Sequence, residues 1–138
     1  MDYNLENLST PWTEKNWDGV FYTEGGSQFG RMRPEWSEQW IYTQKIVDLL
    51  REKNIKALFF TIPRNFKLLE KYNFIDYPAY SSVQKDIFSY LESEGVVVIN
   101  LDYAVPYDYF ADVVHLLPEG EEIVANKLLN YVIWNMPE

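Results

Sequence analysis

No cysteine occurs anywhere in the 138 residues. That excludes a disulfide framework, a thiolate nucleophile and any metal site built on cysteine sulfur, and it leaves the compartment open. Positive charge is scarce too. Twelve Lys and Arg stand against 21 Asp and Glu, a formal net charge of −9, so no basic stripe exists to neutralise phosphates and no nucleic-acid partner is expected. No apolar run approaches the roughly 20 residues that a helix needs to cross a bilayer. The first residues, Met1-Asp2-Tyr3-Asn4-Leu5-Glu6-Asn7, carry neither a basic patch nor an apolar segment, so no signal peptide is read there. The chain as it stands is expected in the cytoplasm, and outside it if it is a fragment of a longer exported protein. No glycine-rich phosphate loop follows either apolar run described below, and the single histidine has no spaced ligand cluster around it. Neither a nucleotide cofactor nor a metal is therefore expected.

What is abundant is aromatic. Eleven Tyr, eight Phe and five Trp make up 17% of the chain, and rings with polar handles serve interfaces and sugar-binding surfaces as readily as cores. The length fits one domain over residues 1–138, small for a doubly wound α/β fold. Residues 1–33 lack a helical period and are broken by Pro11, Gly19, Gly25, Gly26 and Gly30. Trp12, Trp17, Phe21, Tyr22 and Phe29 are candidate anchors there, with a short strand at Gly19–Thr23. Ser27, in a glycine-rich turn, is the one serine of this segment placed like an exposed nucleophile. The same stretch also reads as a flexible loop, since no strand leads into a helix around it.

From Pro34 to about Lys53 the spacing of Trp36, Trp40, Val47 and Leu50, with Ile46 alongside, predicts an amphipathic helix ended near Asn54. Lys56–Ile62 is a continuous apolar run, the pattern of a parallel strand covered on both faces. Residues 63–80 read as a long polar and aromatic connection. Ser81-Ser82-Val83-Gln84 then fits a capping box opening a second helix, with Val83, Ile87, Tyr90 and Leu91 inward and Gly95 as the stop. Val96–Leu101 repeats the buried-strand pattern. Pro118 opens a last helix whose Val124, Leu128 and Tyr131 face the core. The order of helix, strand, helix, strand and helix predicts a small three-layer α/β/α domain with a parallel sheet.

Between the second strand and the last helix lies Tyr109-Phe110-Ala111-Asp112-Val113-Val114-His115-Leu116-Leu117-Pro118-Glu119-Gly120. A carboxylate three residues before an imidazole can bond one ring nitrogen within a single turn, fixing the tautomer and steadying the imidazolium, as a general base requires. A purely structural role for a solitary histidine beside apolar residues fits those four positions as well.

Asp-x-x-His followed by Leu, polar residues, Gly and an amphipathic helix resembles the last sequence block of the SGNH (GDSL-like) hydrolases. Over residues 34–134 the order of elements resembles the carboxyl-terminal half of that flavodoxin-like fold, and most of all the proteins associated with acyl transfer to surface polysaccharides. The resemblance implies His115 as catalytic base, Asp112 as its orienter and an acylated carbohydrate as substrate. It also implies a Gly-Asp-Ser nucleophile block, a second glycine block and a Gly-x-Asn-Asp block, none of which is recognisable here. The expectation is thus an ester hydrolase or O-acyl transferase lacking its N-terminal strands and inactive alone, with Ser27 the outside candidate for nucleophile. A missing front half leaves a sheet edge unpaired, so a partner chain, most simply a second copy, is expected to cover it. The alternative is a non-catalytic module on the same fold. Its acidic, tyrosine-rich loops at Phe66–Tyr80 and Asp102–Tyr109 would bind a carbohydrate or peptide, or its aromatics would serve assembly alone.

Overall fold

The structure, a computed structural model, describes residues 8–17 and 38–135. It is a small mixed α/β fold, mostly helical, with one two-stranded parallel sheet among the described residues. The expected strand at Gly19–Thr23, Ser27 and the helix start at Pro34 all lie outside the described residues. The chain forms two compact units. One combines Tyr22–Phe60 with Asn73–Asn100; the other combines Met1–Phe21, Thr61–Tyr72 and Leu101–Glu138.

The first unit holds helix α1 (Glu38–Glu52), strand β1 (Leu58–Phe60), helix α3 (Tyr77–Ser93) and strand β2 (Val97–Ile99). Its two helices end the same way. Asn54 takes φ 54° and Gly95 takes φ 78°, both left-handed. Ile55 N–H donates to Leu50 O and Val96 N–H to Leu91 O, both at 2.9 Å. These six-to-one bonds, with Asn54 N–H to Arg51 O and Gly95 N–H to Glu92 O, are Schellman caps that satisfy the last carbonyls. Each cap turns the chain directly into a strand. A Cβ at Gly95 would meet nothing within 4 Å, so it is the dihedral angle, not space, that favours glycine there. Arg51, paired with Asp48 within α1, ties the two helix ends together on the surface through Glu94.

β1 and β2 pair in parallel, Leu58 opposite Val97, Phe59 opposite Val98 and Phe60 opposite Ile99. The two apolar runs are therefore neighbours, as expected. They are shorter than the runs that predicted them and not buried on both faces: β2 is half-buried throughout and Phe60 is 38% exposed. Val47 and Leu91 are buried, and the Trp40 ring meets Tyr90 edge-on at 4.9 Å. Ile46, placed by its spacing beside the inward face, is 58% exposed; it lies one residue, about 100° of helix, from Val47.

Residues 63–80 are not one long connection. Helix α2 (Phe66–Lys71) forms within them, and α3 begins at Tyr77 rather than after Ser81. The reason is a competing cap. Asp76 accepts the Ala79 N–H at 3.1 Å, and Pro78 occupies the first turn, where a missing N–H is harmless. Ser81 and Ser82 consequently lie exposed inside the helix and cap nothing.

The second unit contains α2, a 3-10 turn at Trp12–Glu14, another at Tyr107–Tyr109, and helix α4 (Pro118–Asn135). Trp12, Leu68, Val105 and Phe110 are its buried centre, with Trp17, Tyr72, Leu116, Ile123 and Val124 packed around them. Trp12 is held by polar bonds as well: its N–H donates to Phe110 O and its indole N–H to Tyr107 O, each at 2.9 Å. The ring of Trp17 in turn donates to Trp12 O at 2.8 Å. None of the described helices is long and apolar enough to cross a membrane.

Gly120, in the first turn of α4, is a point of close approach. A Cβ there would sit 2.8 Å from Tyr109 O, 3.2 Å from Val105 Cγ1 and 3.3 Å from Leu116 Cβ. The nearest atom is backbone and already accepts the Leu117 N–H at 2.9 Å, so it cannot yield cheaply. Gly120→Ala is expected to lower stability by about 1–3 kcal/mol, measured as a fall in the urea midpoint at unchanged slope.

Candidate active site around Asp112 and His115

The segment from Tyr109 to Leu117 closes on itself. Phe110 and Leu116 form an antiparallel bridge, Ala111 N–H donates to His115 O at 2.8 Å, and Leu117 N–H donates to Tyr109 O at 2.9 Å. Phe110 and Ala111 are fully buried and anchor one side of this turn in the core. α4 starts immediately afterwards, with Pro118 in its first position and Glu119 and Glu121 at its positive end, where acidic groups are favoured.

Inside the turn, Asp112 serves two masters with its two oxygens. Oδ1 accepts the N–H groups of Val114 and His115, both at 2.8 Å, an aspartate turn that shapes the backbone. Oδ2 lies 2.7 Å from His115 Nδ1. An ionised carboxylate only accepts, so Nδ1 carries the proton and the lone pair of the neutral ring resides on Nε2. The Asp112 side chain is 12% exposed and that of His115 is 45% exposed. The carboxylate is thus nearly enclosed while the imidazole stands partly in solvent. Burial by itself raises the Asp112 pKa, but the backbone bonds from His115 and Val114, the ring bond and the attraction of His115 outweigh it. The result is a carboxyl held below its ordinary range.

Two groups that the sequence did not single out converge on the same turn. Lys15 Nζ donates to Ala111 O at 2.6 Å. Burial pushes its ammonium pKa down while the Asp112 charge pulls it up. Asn65 is fully buried. Its N–H donates to Val113 O at 2.8 Å, its Nδ2 donates to Asp112 O at 3.3 Å, and its Oδ1 caps α2 by accepting the Leu68 N–H at 3.0 Å. An Asn just ahead of Phe-Lys-Leu-Leu was readable as a helix cap. Nothing local announces either group's bond to the Asp112 turn. Close by in the same unit, Arg64 pairs with the buried Asp102 at 3.2 Å, and the Tyr103 ring, 63% exposed, stacks on Phe66 at 4.7 Å.

Of the three residues singled out from sequence, Asp112 and His115 are brought together, and Ser27 lies outside the described residues. No three His, Asp or Glu among the described residues gather to hold a metal ion. No protein-family model, no curated protein and no solved structure matches the chain.

The depressed Asp112 pKa has a consequence for stability. A group whose folded pKa lies below its unfolded value of about 4 contributes fully above that value, and its contribution disappears as the pH falls through the folded pKa. Asp112→Asn is therefore expected to cost about 1–3 kcal/mol at pH 7. The gap to the parent chain should close on acidification below about pH 4, as read from urea titrations across the pH range.

Proposed function

We propose that Asp112 and His115 are the proton-handling pair of an SGNH-like ester hydrolase or O-acyl transferase. The observation that carries this reading is the 2.7 Å bond from His115 Nδ1 to a carboxylate whose other oxygen is already committed to two backbone amides. Such a carboxylate cannot rotate away, so it holds the ring in one tautomer and orientation. In the reaction, Nε2 removes the proton of an attacking hydroxyl as that oxygen adds to the ester carbonyl. Asp112 stabilises the imidazolium that forms. His115 then returns the proton to the departing alkoxide as the acyl–oxygen bond breaks, so the ring ends as it began. The residues around the pair supply no assigned oxyanion donor and no assigned nucleophile. The Gly-Asp-Ser tripeptide of the resembling family is absent from the sequence, and Ser27 is the candidate within this chain. An acylated carbohydrate is the substrate class that goes with this reading. A three-layer SGNH-like arrangement and a second copy covering a sheet edge belong to the same proposal.

A binding-only module is the second reading, favoured by one observation: the exposed Tyr103 ring stacked on buried Phe66 is a rigid aromatic face of the kind that sugar rings stack on.

Hydrolysis of p-nitrophenyl acetate separates the two. The esterase reading expects turnover that falls about 10²–10⁴-fold in His115→Ala. Turnover no greater than that of an albumin control, alone or with a candidate partner chain, would remove it in favour of the binding module. Binding of a glycan that is lost in Tyr103→Ala, with no hydrolysis, is what that module predicts.

A further inference from the structure

The proton-handling pair sits on a turn whose own hydrogen bonds do not reach its outer carbonyls. Those of Asp112 and Val113 point to one residue 47 or 48 positions earlier in the chain. Asn65 meets both, its backbone N–H on Val113 O at 2.8 Å and its Nδ2 on Asp112 O at 3.3 Å. The third polar group of Asn65, Oδ1, is spent on the Leu68 N–H, which fixes the side chain by tying it to the first turn of α2. Asn65 has no exposure at all, and neither has Phe66 beside it, nor Leu68 and Leu69 one turn on. A buried amide with its donor and acceptor both satisfied is a rigid object.

We infer that Asn65 is a positioning residue for the Asp112–His115 pair, transmitting the fixed start of α2 to the peptide plane that aims the Asp112 carboxylate. The link is short. The peptide between Asp112 and Val113 carries the carbonyl that Asn65 holds, and rotation of that plane would carry along the Val114 and His115 amides that Asp112 Oδ1 accepts. Losing the clasp lets the turn rock, and Oδ2 then loses its set distance to Nδ1. This inference rests on the reading of the pair as catalytic only for its effect on turnover; its effect on the imidazole stands apart.

The experiment is NMR spectroscopy of the full chain, in which His115, as the one histidine, gives a single set of imidazole signals. Asn65→Ser keeps an oxygen for the α2 cap but cannot reach Asp112 O. Asn65→Asp keeps shape and cap and, when ionised, has no proton to donate. Both are expected to broaden or shift upfield the Nδ1 proton signal. Any ester turnover should fall about 10–100-fold in kcat with KM little changed. An unchanged Nδ1 signal in a folded variant overturns the inference. Should neither variant fold, the Asn65 Nδ2 protons of the unmutated chain decide: protection from solvent exchange supports the clasp, and exchange at the rate of a free amide overturns it. Imidazole signals that respond in a chain without turnover leave the clasp standing and remove the esterase. Turnover abolished in His115→Ala, with imidazole signals unmoved in the Asn65 variants, does the reverse.

Discussion

A nearly enclosed carboxylate must be surrounded by donors or it will not stay charged, and Asp112 is surrounded by three. The backbone amides of Val114 and His115 meet one oxygen and the His115 ring meets the other. Taking a charged group out of water costs several kcal/mol unless such bonds replace its hydration. The turn between Phe110 and Leu116 can therefore close only in the shape that delivers those donors. That shape is also the one that presents the imidazole at the edge of solvent. Folding of the turn and orientation of the ring are the same event.

The two oxygens divide the labour. Oδ1 makes an ordinary aspartate turn, of the kind found wherever a chain reverses beside an acidic residue. Oδ2 makes the bond that gives a histidine a definite tautomer. A glutamate, one methylene longer, would not keep both sets of bonds at this spacing, and an asparagine would keep the turn but not the charge. Outside the turn, the core closes the arrangement. Trp12 comes from the other end of the chain to bond Phe110 and Tyr107, Lys15 follows it to Ala111, and Asn65 holds the peptide on the remaining side. Close packing at Gly120 then seats α4 against the same backbone. The Trp12, Lys15 and Asn65 contacts each span a long stretch of sequence, which is why the pair is better described as a product of the unit than of a motif.

With no match among known families or structures, the functional reading stands on this geometry and on the order of elements. On the proposed reading, a carboxylate–imidazole pair without an assigned nucleophile would be half of an acyl-transfer apparatus, moving protons without choosing the bond to break. The exposed Tyr103 platform is compatible with either a substrate subsite or a binding surface. The difference between them is chemical turnover, not shape.

Much of the architecture was legible because it is local. The Schellman ends at Asn54 and Gly95, the proline start of α4 and the Asp-x-x-His spacing all act within six residues, so the residues that decide them sit side by side in the sequence. The parallel pairing of the two apolar runs was legible for a related reason, since each is followed or preceded by a helix long enough for a crossover. Where competing local signals existed, local reading chose the wrong one. Asp76 with Pro78 starts α3 ahead of Ser81, and Asn65 starts α2 inside what looked like a loop, because a cap is decided by which side chain reaches an amide first and not by which pattern is longer. By itself, then, the sequence determined helices α1, α3 and α4, the stops of the first two, the two strands and the carboxylate–imidazole spacing. Tertiary structure alone decided how far the strands extend, that Ile46 faces solvent, and that Lys15 and Asn65 close on the Asp112 turn. Those outcomes depend on partners tens of residues away, which no local propensity encodes.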